Sequence, residues 1–309
     1  MTFVNQLYKP QIKILKKIKF LRLLSIFLSK IFFIEKFGIF NNVLIQHLVN
    51  YETVEINKEK IKLIGGSEKL YLANRTQFFI EKDLTKWIEK MNKNDVFYDI
   101  GANVGMFSCL AGKKNIETIS FECMNSNLDA LTYNVMLNKA EKFVTVVPGM
   151  LSNKDGLEVL QHRDLAPGTA KNEIKREKNI FSEGEKSVLN LKTTAFRLDT
   201  LINMFQLKLP TKIKIDVDGA EMQVLEGCGI YLENAKEVMI ETFQNKQLLY
   251  KCLEETDEVK TKNFLDNYDH YHIDEKISHR DLNKIINFLS NKGFKHKSDF
   301  GNNSLFVKS

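Results

Sequence analysis

Residues 96–108 read VFYDIGANVGMFS, and this stretch decides the fold. Three residues that favour β-strands are followed by an isoleucine-flanked aspartate, and then by two glycines that bracket an asparagine. Glycine is costly inside regular elements, so Gly101 and Gly105 indicate a backbone that turns sharply or that something approaches closely. The residues after Gly105 favour a helix. The stretch therefore predicts a strand, a tight turn and a helix, and it raises the question of what lies against the turn.

Strand and helix patterns alternate on the carboxyl side of this turn. We expect strands at residues 96–100, 118–122, 143–147, 213–217 and 238–242, with two later strands near Tyr271 and Leu305. Helical patterns such as NSNLDALTYNVMLNKA fall between them. This alternation predicts an α/β fold, namely a Rossmann-like, doubly wound and mostly parallel seven-stranded sheet. Ligands of such sheets bind beyond the carboxyl ends of the strands, where the turn at Gly101 lies.

Three further segments have patterns of their own. Residues 53–73 alternate around a Gly-Gly-Ser sequence, which predicts a small antiparallel ribbon that turns there. The following FFIEKDLTKWIEKM is typical of an amphipathic helix. Residues 157–190 are rich in charge and have no clear period, so we expect a long loop or lid over the ligand crevice.

Composition limits the class of protein. A chain of 309 residues with 43% hydrophobic residues has room for one large domain with an extension, or for two domains. Its four cysteines are widely separated and form no C-x-x-C pair, which argues against a disulfide framework or a structural zinc site and favours a reducing, cytoplasmic setting. The net charge of +6 comes from residues 1–36, which hold eight basic residues and one acid, whereas the rest holds 37 basic and 38 acidic residues. A nucleic-acid partner is therefore not expected.

The basic N-terminal segment has the pattern of an amphipathic helix. Apolar residues recur at spacings of three and four in residues 11–36, and the basic residues concentrate in the first half. The segment has no uncharged apolar run long enough for a transmembrane span, and no small-residue cleavage site for a secretory signal. Two interpretations stay open: a helix that packs on the domain or on a second subunit, and a helix that lies on an anionic membrane at the cytoplasmic face. We divide the chain into this extension, residues 1–50, and a domain at 51–309 with its core at 78–242.

Three ligands compete for the glycine turn. The Walker loop that binds nucleotide phosphates needs a Gly-Lys-Ser/Thr sequence that is missing here. A dinucleotide fingerprint, G-x-G-x-x-G, would need glycine where the chain has Asn103 and Met106. S-adenosylmethionine requires less: a tight turn, and an acidic residue at the end of the next strand for the ribose hydroxyls. Glu122 ends that strand 21 positions after Gly101, close to the spacing seen in nucleotide-binding βαβ units, which favours the adenosyl ligand.

Four blocks of sequence carry a resemblance to a known family. In order, YDIGANVGMFS, FECMNSNLDALTYNVMLN, FRLDTL and IKIDVDGAEMQVLEG followed by VMIET are similar to the FkbM family of S-adenosylmethionine-dependent methyltransferases. The resemblance runs from about residue 78 to residue 242. It implies that Asp99, Gly101, Asn103 and Gly105 form the cofactor loop, and that Glu122 holds the ribose. It also implies O-methylation of hydroxyl groups on sugars or polyketides.

The candidate catalytic residues lie on the strand at residues 213–217. Alternation in IKIDVDGAE puts Lys214, Asp216 and Asp218 on one side, although a central parallel strand is normally apolar on both faces. We favour a role for Asp216 that faces the cofactor or the acceptor, since O-methylation of an alcohol needs a base. Two structural alternatives stay open: Lys214 and Asp216 neutralise each other, or Asp218 and Glu221 form a capping box for the next helix.

Glu241 is the second candidate base, because it ends a hydrophobic strand at the same edge of the sheet. Its alternative role is to pair with a buried backbone or basic group. Asp199 is predicted to be the N-cap of the helix that contains TLINMF. His270 and His272 alternate in DHYHID but have no evident third ligand, so an ordinary strand or loop is expected there.

A metal site is not predicted. Asp216, Asp218 and Glu241 have the ligand type that a divalent cation prefers, yet nothing else in the sequence supports one.

The leading hypothesis is therefore an S-adenosylmethionine-dependent O-methyltransferase that modifies a hydroxyl of a glycan or lipid-linked saccharide. It would be cytoplasmic, with the segment at residues 11–36 in peripheral contact with the inner membrane face. The alternatives are an RNA methyltransferase and a non-catalytic, membrane-docked interaction protein on the same fold.

Overall fold

The computed structural model describes residues 20, 51–56, 59–65, 70, 81–169, 172–174, 187–242, 282–300 and 303–309. Its helices are α1 (Lys82–Glu89), α2 (Met106–Lys113), α3 (Asn125–Leu137), α4 (Leu198–Phe205), α5 (Glu221–Gly227) and α6 (Leu282–Asn291), with one 3₁₀ helix at Gly229–Asn234. Its strands are β1 (Tyr51–Ile56), β2 (Glu59–Ile64), β3 (Val96–Ile100), β4 (Glu117–Glu122), β5 (Val144–Pro148), β6 (Met150–Leu151), β7 (Gly156–His162), β8 (Glu173–Ile174), β9 (Leu189–Phe196), β10 (Lys212–Ile215), β11 (Glu237–Glu241), β12 (Phe294–Phe300) and β13 (Asn303–Lys308).

A seven-stranded sheet forms the centre, in the order β12-β13-β11-β10-β3-β4-β5. Strands β5, β4, β3, β10 and β11 are parallel, whereas β13 runs antiparallel between β11 and β12. The prediction of a doubly wound, mostly parallel seven-stranded sheet is confirmed. The five predicted core strands are all present, Leu305 lies in β13, and Tyr271 lies outside the described residues.

Two apolar layers cover the two faces of this sheet. One layer contains Leu110 of α2 and Leu131 of α3, which pack against Phe97 of β3. The other contains Leu201 of α4 and Leu225 of α5. Helices α2 and α3 lie between β3, β4 and β5 along the chain, so the winding reverses between β3 and β10. The carboxyl ends of these two strands therefore border the crevice where doubly wound folds bind ligands.

A second sheet follows β5 and corrects one expectation. Residues 157–190 were expected to form a loop or lid without regular structure, but β7 and β9 pair over seven residues and build a four-stranded sheet of order β6-β9-β7-β8. The sequence does not separate a buried face of this sheet from an exposed one, because five of the eight residues of β9 are exposed and they lie on both faces. The segment between β7 and β9 is described at residues 163–169, 172–174 and 187–188.

The antiparallel ribbon is present, but its turn was placed wrongly. Strands β1 and β2 pair from Tyr51 opposite Ile64 to Ile56 opposite Glu59, so residues 57–58 connect them and the Gly-Gly-Ser sequence follows the ribbon. Asn134 of α3 and Asn138, the C-cap residue of α3, bind the backbone of β2: Asn138 Oδ1 accepts from the Lys62 N–H at 2.9 Å, and Asn134 Oδ1 accepts from the Ile64 N–H at 2.6 Å. Side-chain amides thus satisfy backbone groups that a ladder would otherwise pair.

The predicted helix at 78–91 is confirmed as α1 within the residues described there. The basic N-terminal segment lies outside the described residues, apart from Phe20. Among the residues the structure describes, no helix has the length and hydropathy needed to cross a membrane.

Candidate active site

The glycine turn is held by the chain's own backbone. Gly101 and Gly105 adopt left-handed φ angles of 75° and 76°, which favour glycine. A β-carbon built on Gly101 would lie 1.8 Å from the carbonyl oxygen of Asp216, and one built on Gly105 would lie 1.9 Å from Leu131 Cδ1. The sequence predicted that something comes close to these glycines, and at both of them it is another segment of the same chain. At Gly101 the neighbour is the end of β10, which carries a candidate base.

Glu122 is anchored at the carboxyl end of β4 by three backbone donors. Its Oε1 accepts from the N–H groups of Cys123 at 2.8 Å and Met124 at 2.7 Å, and its Oε2 accepts from the Asn103 N–H at 2.8 Å. Burial raises the pKa of this carboxyl, and the three N–H groups oppose that shift. An ionised carboxylate has about four acceptor positions, so Oε2 keeps one for a further donor.

Asn103 lies beside the free acceptor position of Glu122 Oε2. It has a left-handed φ of 52°, and its Oδ1 is buried without a hydrogen-bond partner among the described residues. Its Nδ2 lies 3.5 Å from the Thr169 carbonyl oxygen. A free acceptor position on Glu122 beside an unsatisfied amide oxygen suits a ligand that carries hydroxyl donors, as the ribose of S-adenosylmethionine does. The residues present thus fit this cofactor.

The segment after β7 lies against the glycine turn. Besides the contact of Thr169 with Asn103, the Gly168 N–H donates to Asn127 Oδ1 of α3 at 2.9 Å. Asn172 Nδ2 lies 3.2 Å from Met124 Sδ, two residues beyond Glu122. The described part of this segment therefore borders the same crevice.

Asp99 lies beneath the turn and has no exposed surface. Its Oδ2 accepts from Ser108 Oγ at 2.5 Å, and Ser108 in turn accepts from Ser120 Oγ at 2.8 Å. Its Oδ1 lies 3.2 Å from the Nζ of Lys214, which is the residue opposite Asp99 on the neighbouring strand. Both oxygens of Asp99 are engaged within the protein, so in this structure Asp99 supports the loop from below.

Asp216 and Glu241 meet at the carboxyl ends of β10 and β11. Asp216 Oδ2 lies 3.3 Å from Lys214 Nζ, so the predicted alternative of a Lys214–Asp216 pair is realised. Burial raises the pKa of Glu241 well above its ordinary value, and the charges of Asp216 and Asp218 and a hydrogen bond with Asp216 add to the shift. Glu241 therefore holds its proton to a higher pH than an ordinary glutamate, and it is hydrogen-bonded to Asp216.

The capping box predicted for Asp218 and Glu221 does not form. Asp218 has a left-handed φ of 52°, and the N-cap of α5 is Ala220, without a side-chain cap. Glu221 instead turns back, and its Oε1 accepts from the N–H groups of Val217 at 3.2 Å and Gly219 at 3.0 Å. Burial raises the pKa of Glu221 to about 7, against those two N–H groups. Glu221 thereby closes the turn that carries Asp218.

The predicted N-cap role of Asp199 is also wrong. Helix α4 begins at Leu198 with Arg197 as its N-cap, so Asp199 lies within the first turn. There it accepts from the Arg197 guanidinium at 2.9 and 2.6 Å. The ion pair with its near neighbour replaces the cap.

Two functional candidates were not found from the sequence. Asn134 Nδ2 donates to the Val104 carbonyl at 2.7 Å and so ties the glycine turn to α3. His162, at the end of β7, is 5% exposed, and neither ring nitrogen has a hydrogen-bond partner within the described part of the chain. Asn134 lies within the second block that resembles the FkbM family, but the resemblance gave it no role, and His162 lies outside the four blocks. His270 and His272 lie outside the described residues, among which no group of three or more His, Cys, Asp or Glu is arranged to hold a metal ion.

The sheet order, with its antiparallel strand β13 and an anchored acid at the end of β4, defines a Rossmann-like methyltransferase. Residues 99–295 match the Methyltransferase FkbM domain. The chain belongs to this family of S-adenosylmethionine-dependent methyltransferases, and the predicted resemblance is confirmed.

Two curated relatives align with about half of the chain. Hexuronic acid methyltransferase AglP of Haloferax volcanii is 26% identical over 165 residues, which cover 52% of this chain and 62% of that protein. Methyltransferase sdnD of Sordaria araneosa is 26% identical over 180 residues, covering 51% of this chain and 70% of that protein. The chain thus spans less than two thirds of AglP.

Among solved structures, a precorrin-6y C5,15-methyltransferase from Geobacter metallireducens covers 74% of this chain and 87% of its own. It is 13% identical with a TM-score of 0.37, and at that score the likeness carries no argument about function.

Proposed function

We propose that this protein is an S-adenosylmethionine-dependent O-methyltransferase that acts on a hydroxyl of a sugar, a glycan or a lipid-linked saccharide. The observation that carries the proposal is the anchored carboxylate of Glu122 beside the unsatisfied Oδ1 of Asn103. Family membership supports the methyl donor. The name of the relative AglP, a hexuronic acid methyltransferase, supports a saccharide acceptor.

The cofactor would be held at the turn between Gly101 and Gly105. In this proposal, Glu122 accepts from the ribose hydroxyls through the remaining acceptor position of Oε2, and Asn103 Oδ1 accepts a further donor. The three N–H groups that hold Glu122 fix its direction before the ligand arrives, which reduces the cost of ordering on binding. When bound, S-adenosylmethionine supplies an electrophilic methyl group on a sulfonium centre.

Asp216 would be the group that receives the acceptor's proton. It is 22% exposed, whereas Lys214 beside it is 2% exposed, so Asp216 is the member of the pair that a substrate can reach. Glu241, whose pKa is raised by burial and by the neighbouring acids, would donate a hydrogen bond to Asp216 and so hold the carboxyl group of Asp216 in place. Asp218, on the turn that Glu221 closes, would contribute negative charge to the same edge. The protein's main tasks are then to orient the hydroxyl and to take up its proton.

The remaining parts of the proposal concern the whole chain. Residues 51–309 would form the catalytic domain, and residues 1–50 would form an extension. Its basic amphipathic pattern at residues 11–36 would place a cytoplasmic enzyme at an anionic inner membrane face, near a lipid-borne acceptor.

The test is methyl transfer from S-adenosylmethionine with a labelled methyl group. The full chain is incubated with glucuronic acid, galacturonic acid and the corresponding neutral hexosides, and the products are analysed by mass spectrometry for an O-methyl group. The proposal predicts methylated saccharide with the wild type and at least a hundredfold less with Asp216→Asn, since general-base catalysis contributes roughly 10²- to 10⁴-fold. Methyl transfer to transfer RNA but to none of the saccharides would contradict it.

A further inference from the structure

Lys214 occupies an unusual place for a lysine, because its ammonium is buried where the cofactor turn meets the candidate base. Its side chain is 2% exposed. Three oxygens surround Nζ: Asp99 Oδ1 at 3.2 Å, the Gly101 carbonyl oxygen at 3.2 Å and Asp216 Oδ2 at 3.3 Å. An ammonium group has three protons and no acceptor, so these three oxygens match its full donor capacity.

The three oxygens belong to three different parts of the site. Asp99 lies in the core of β3, Gly101 begins the cofactor turn, and Asp216 follows the end of β10. Gly101 also packs directly on the carbonyl of Asp216, which leaves no space for a β-carbon. The lysine therefore joins by charge the two segments that the glycine joins by contact.

A role as counter-ion of Asp99 alone would not explain this arrangement. Asp99 already accepts a short hydrogen bond from Ser108. If Asp99 were the only partner, Lys214 would have no reason to reach the end of its own strand, where Asp216 and the Gly101 carbonyl lie. We propose that Lys214 is the positioning residue of the active site, whose ammonium fixes the Asp216 carboxylate and the Gly101 carbonyl in the arrangement that methyl transfer requires.

This inference rests on the proposed function, and it deepens it. Lys214 touches neither donor nor acceptor in this role; it acts through Asp216 and the turn. Its charge also explains why a cluster of acids persists at this edge of the sheet. The charged groups around Lys214 and Asp216 are Asp99 on β3, Glu122 on β4, Glu81 before α1, Asp218 and Glu221 at α5, and Glu241 on β11.

Burial works against the charge of Lys214, yet the charges of Asp99 and Asp216 outweigh it and raise the pKa of the ammonium. The ammonium therefore stays charged over the whole range in which the protein can be assayed. Among the described groups around Asp216, Lys214 is the one cation within ion-pair distance, so its removal leaves Asp216 among acids only.

The experiment combines Lys214→Met with Asp99→Asn. Lys214→Met alone would leave the buried carboxylate of Asp99 and the partly exposed carboxylate of Asp216 without their cation, and it is expected to fold poorly. The double variant keeps the core neutral, so that an effect on Asp216 is separated from the loss of the Asp99 partner. The matched control is Lys212→Met, which removes a lysine of the same strand that pairs with Glu237 at 2.8 Å, away from the carboxyl edge.

Two quantities are measured on the purified full chain. The first is the affinity for S-adenosylhomocysteine, by calorimetry. The second is the carbonyl stretch of protonated carboxyl groups at pH 8, by infrared difference spectroscopy against the wild type. The double variant is expected to bind S-adenosylhomocysteine about tenfold more weakly, since the Gly101 carbonyl loses a charged donor. It is also expected to gain one protonated carboxyl signal, which Asp216→Asn removes. Lys212→Met is expected to match the wild type in both.

A second variant guards against misfolding of the first. Lys214→Arg keeps the charge but replaces three rotatable protons with a planar fork, so the affinity should fall while the infrared spectrum stays that of the wild type. Wild-type affinity in the double variant, or no new carboxyl signal, would overturn the positioning role and leave Lys214 as a counter-ion of Asp99. If the wild type itself fails to bind S-adenosylhomocysteine, the proposed function fails, and the infrared result still decides the relation of Lys214 to Asp216.

Discussion

Replacing Gly101 with alanine tests why the turn carries glycine. The left-handed φ of 75° would cost a residue with a β-carbon roughly 1–2 kcal/mol. The new β-carbon would also lie 1.8 Å from the carbonyl oxygen of Asp216, a backbone atom that cannot rotate away. Relieving that overlap requires β3 and β10 to separate by more than an ångström at their ends, and overpacking of this kind costs about 1–3 kcal/mol. The total is about 2–5 kcal/mol.

Gly293 is the matched control for this prediction. Its φ is 81°, close to that of Gly101, but a β-carbon there would meet only flexible atoms of the Lys308 side chain at 3.7 Å. Gly293→Ala should therefore lose only the left-handed cost. In thermal unfolding at pH 7, we expect a midpoint about 4–20 °C lower for Gly101→Ala and about 2–8 °C lower for Gly293→Ala, given roughly 2–4 °C per kcal/mol in a chain of this size. Equal losses would show that only the φ angle matters and that the contact with Asp216 is not restrictive.

Three further predictions concern buried titratable groups. The pKa of Glu221 is raised to about 7, which contributes roughly 3 kcal/mol of stability that is complete below pH 4.5 and is lost as the pH rises through 7. Glu221→Gln should therefore flatten the decline of the thermal unfolding midpoint between pH 5 and 8. An equally steep decline in the variant would refute this. Burial lowers the pKa of His162, so as the pH falls below 6.5 this imidazole is protonated in the unfolded chain before it is protonated in the folded one. In urea unfolding, His162→Leu should therefore lose less stability than the wild type between pH 7 and pH 5. A greater loss would mean that the folded imidazole is protonated. The raised pKa of Glu241 favours its protonated form, which the amide of Glu241→Gln resembles, so this variant should change the midpoint at pH 7 little. A large decrease would show that Glu241 is ionised.

The doubly wound, mostly parallel architecture could be predicted from the sequence because it depends on local patterns. Alternating strand and helix segments fix a parallel sheet, and the glycine turn fixes where its winding reverses. The position of Glu122 followed from the spacing between neighbouring strands in a βαβ unit. The placement of Asp216 and Glu241 at one edge followed because the carboxyl ends of parallel strands meet there.

Other features depend on contacts between distant segments, which a single sequence does not encode in a readable form. The need for glycine at position 101 comes from the carbonyl of Asp216, 115 positions later along the chain. One of the three oxygens around Lys214 Nζ is the Gly101 carbonyl oxygen, which lies in the turn after the neighbouring strand β3. The small sheet of β7 and β9 was missed because exposed residues lie on both faces of β9, and Leu189 and Leu191 are among them.

Local rules also failed where a stronger partner competed. Asp199 matched an N-cap by position, but the Arg197 guanidinium two residues away offers a bidentate ion pair. Glu221 matched a capping box with Asp218 by its spacing. Asp218 adopts a left-handed conformation, however, and Glu221 accepts hydrogen bonds from the N–H groups of Val217 and Gly219 instead. In both places a specific hydrogen-bond partner outweighed the local preference for a helix cap.

We propose that the turn between Gly101 and Gly105, together with Glu122, binds the adenosyl methyl donor. The most direct measurement is a calorimetric titration of the full chain with S-adenosylhomocysteine and, separately, with NADH, for the wild type and Glu122→Gln. We expect a single site for S-adenosylhomocysteine in the wild type and no heat with NADH. Glu122→Gln should bind S-adenosylhomocysteine at least about tenfold more weakly, because its amide is a poorer acceptor for hydroxyl donors than a carboxylate. Binding of NADH, or S-adenosylhomocysteine binding that is absent or unaffected by Glu122→Gln, would contradict it.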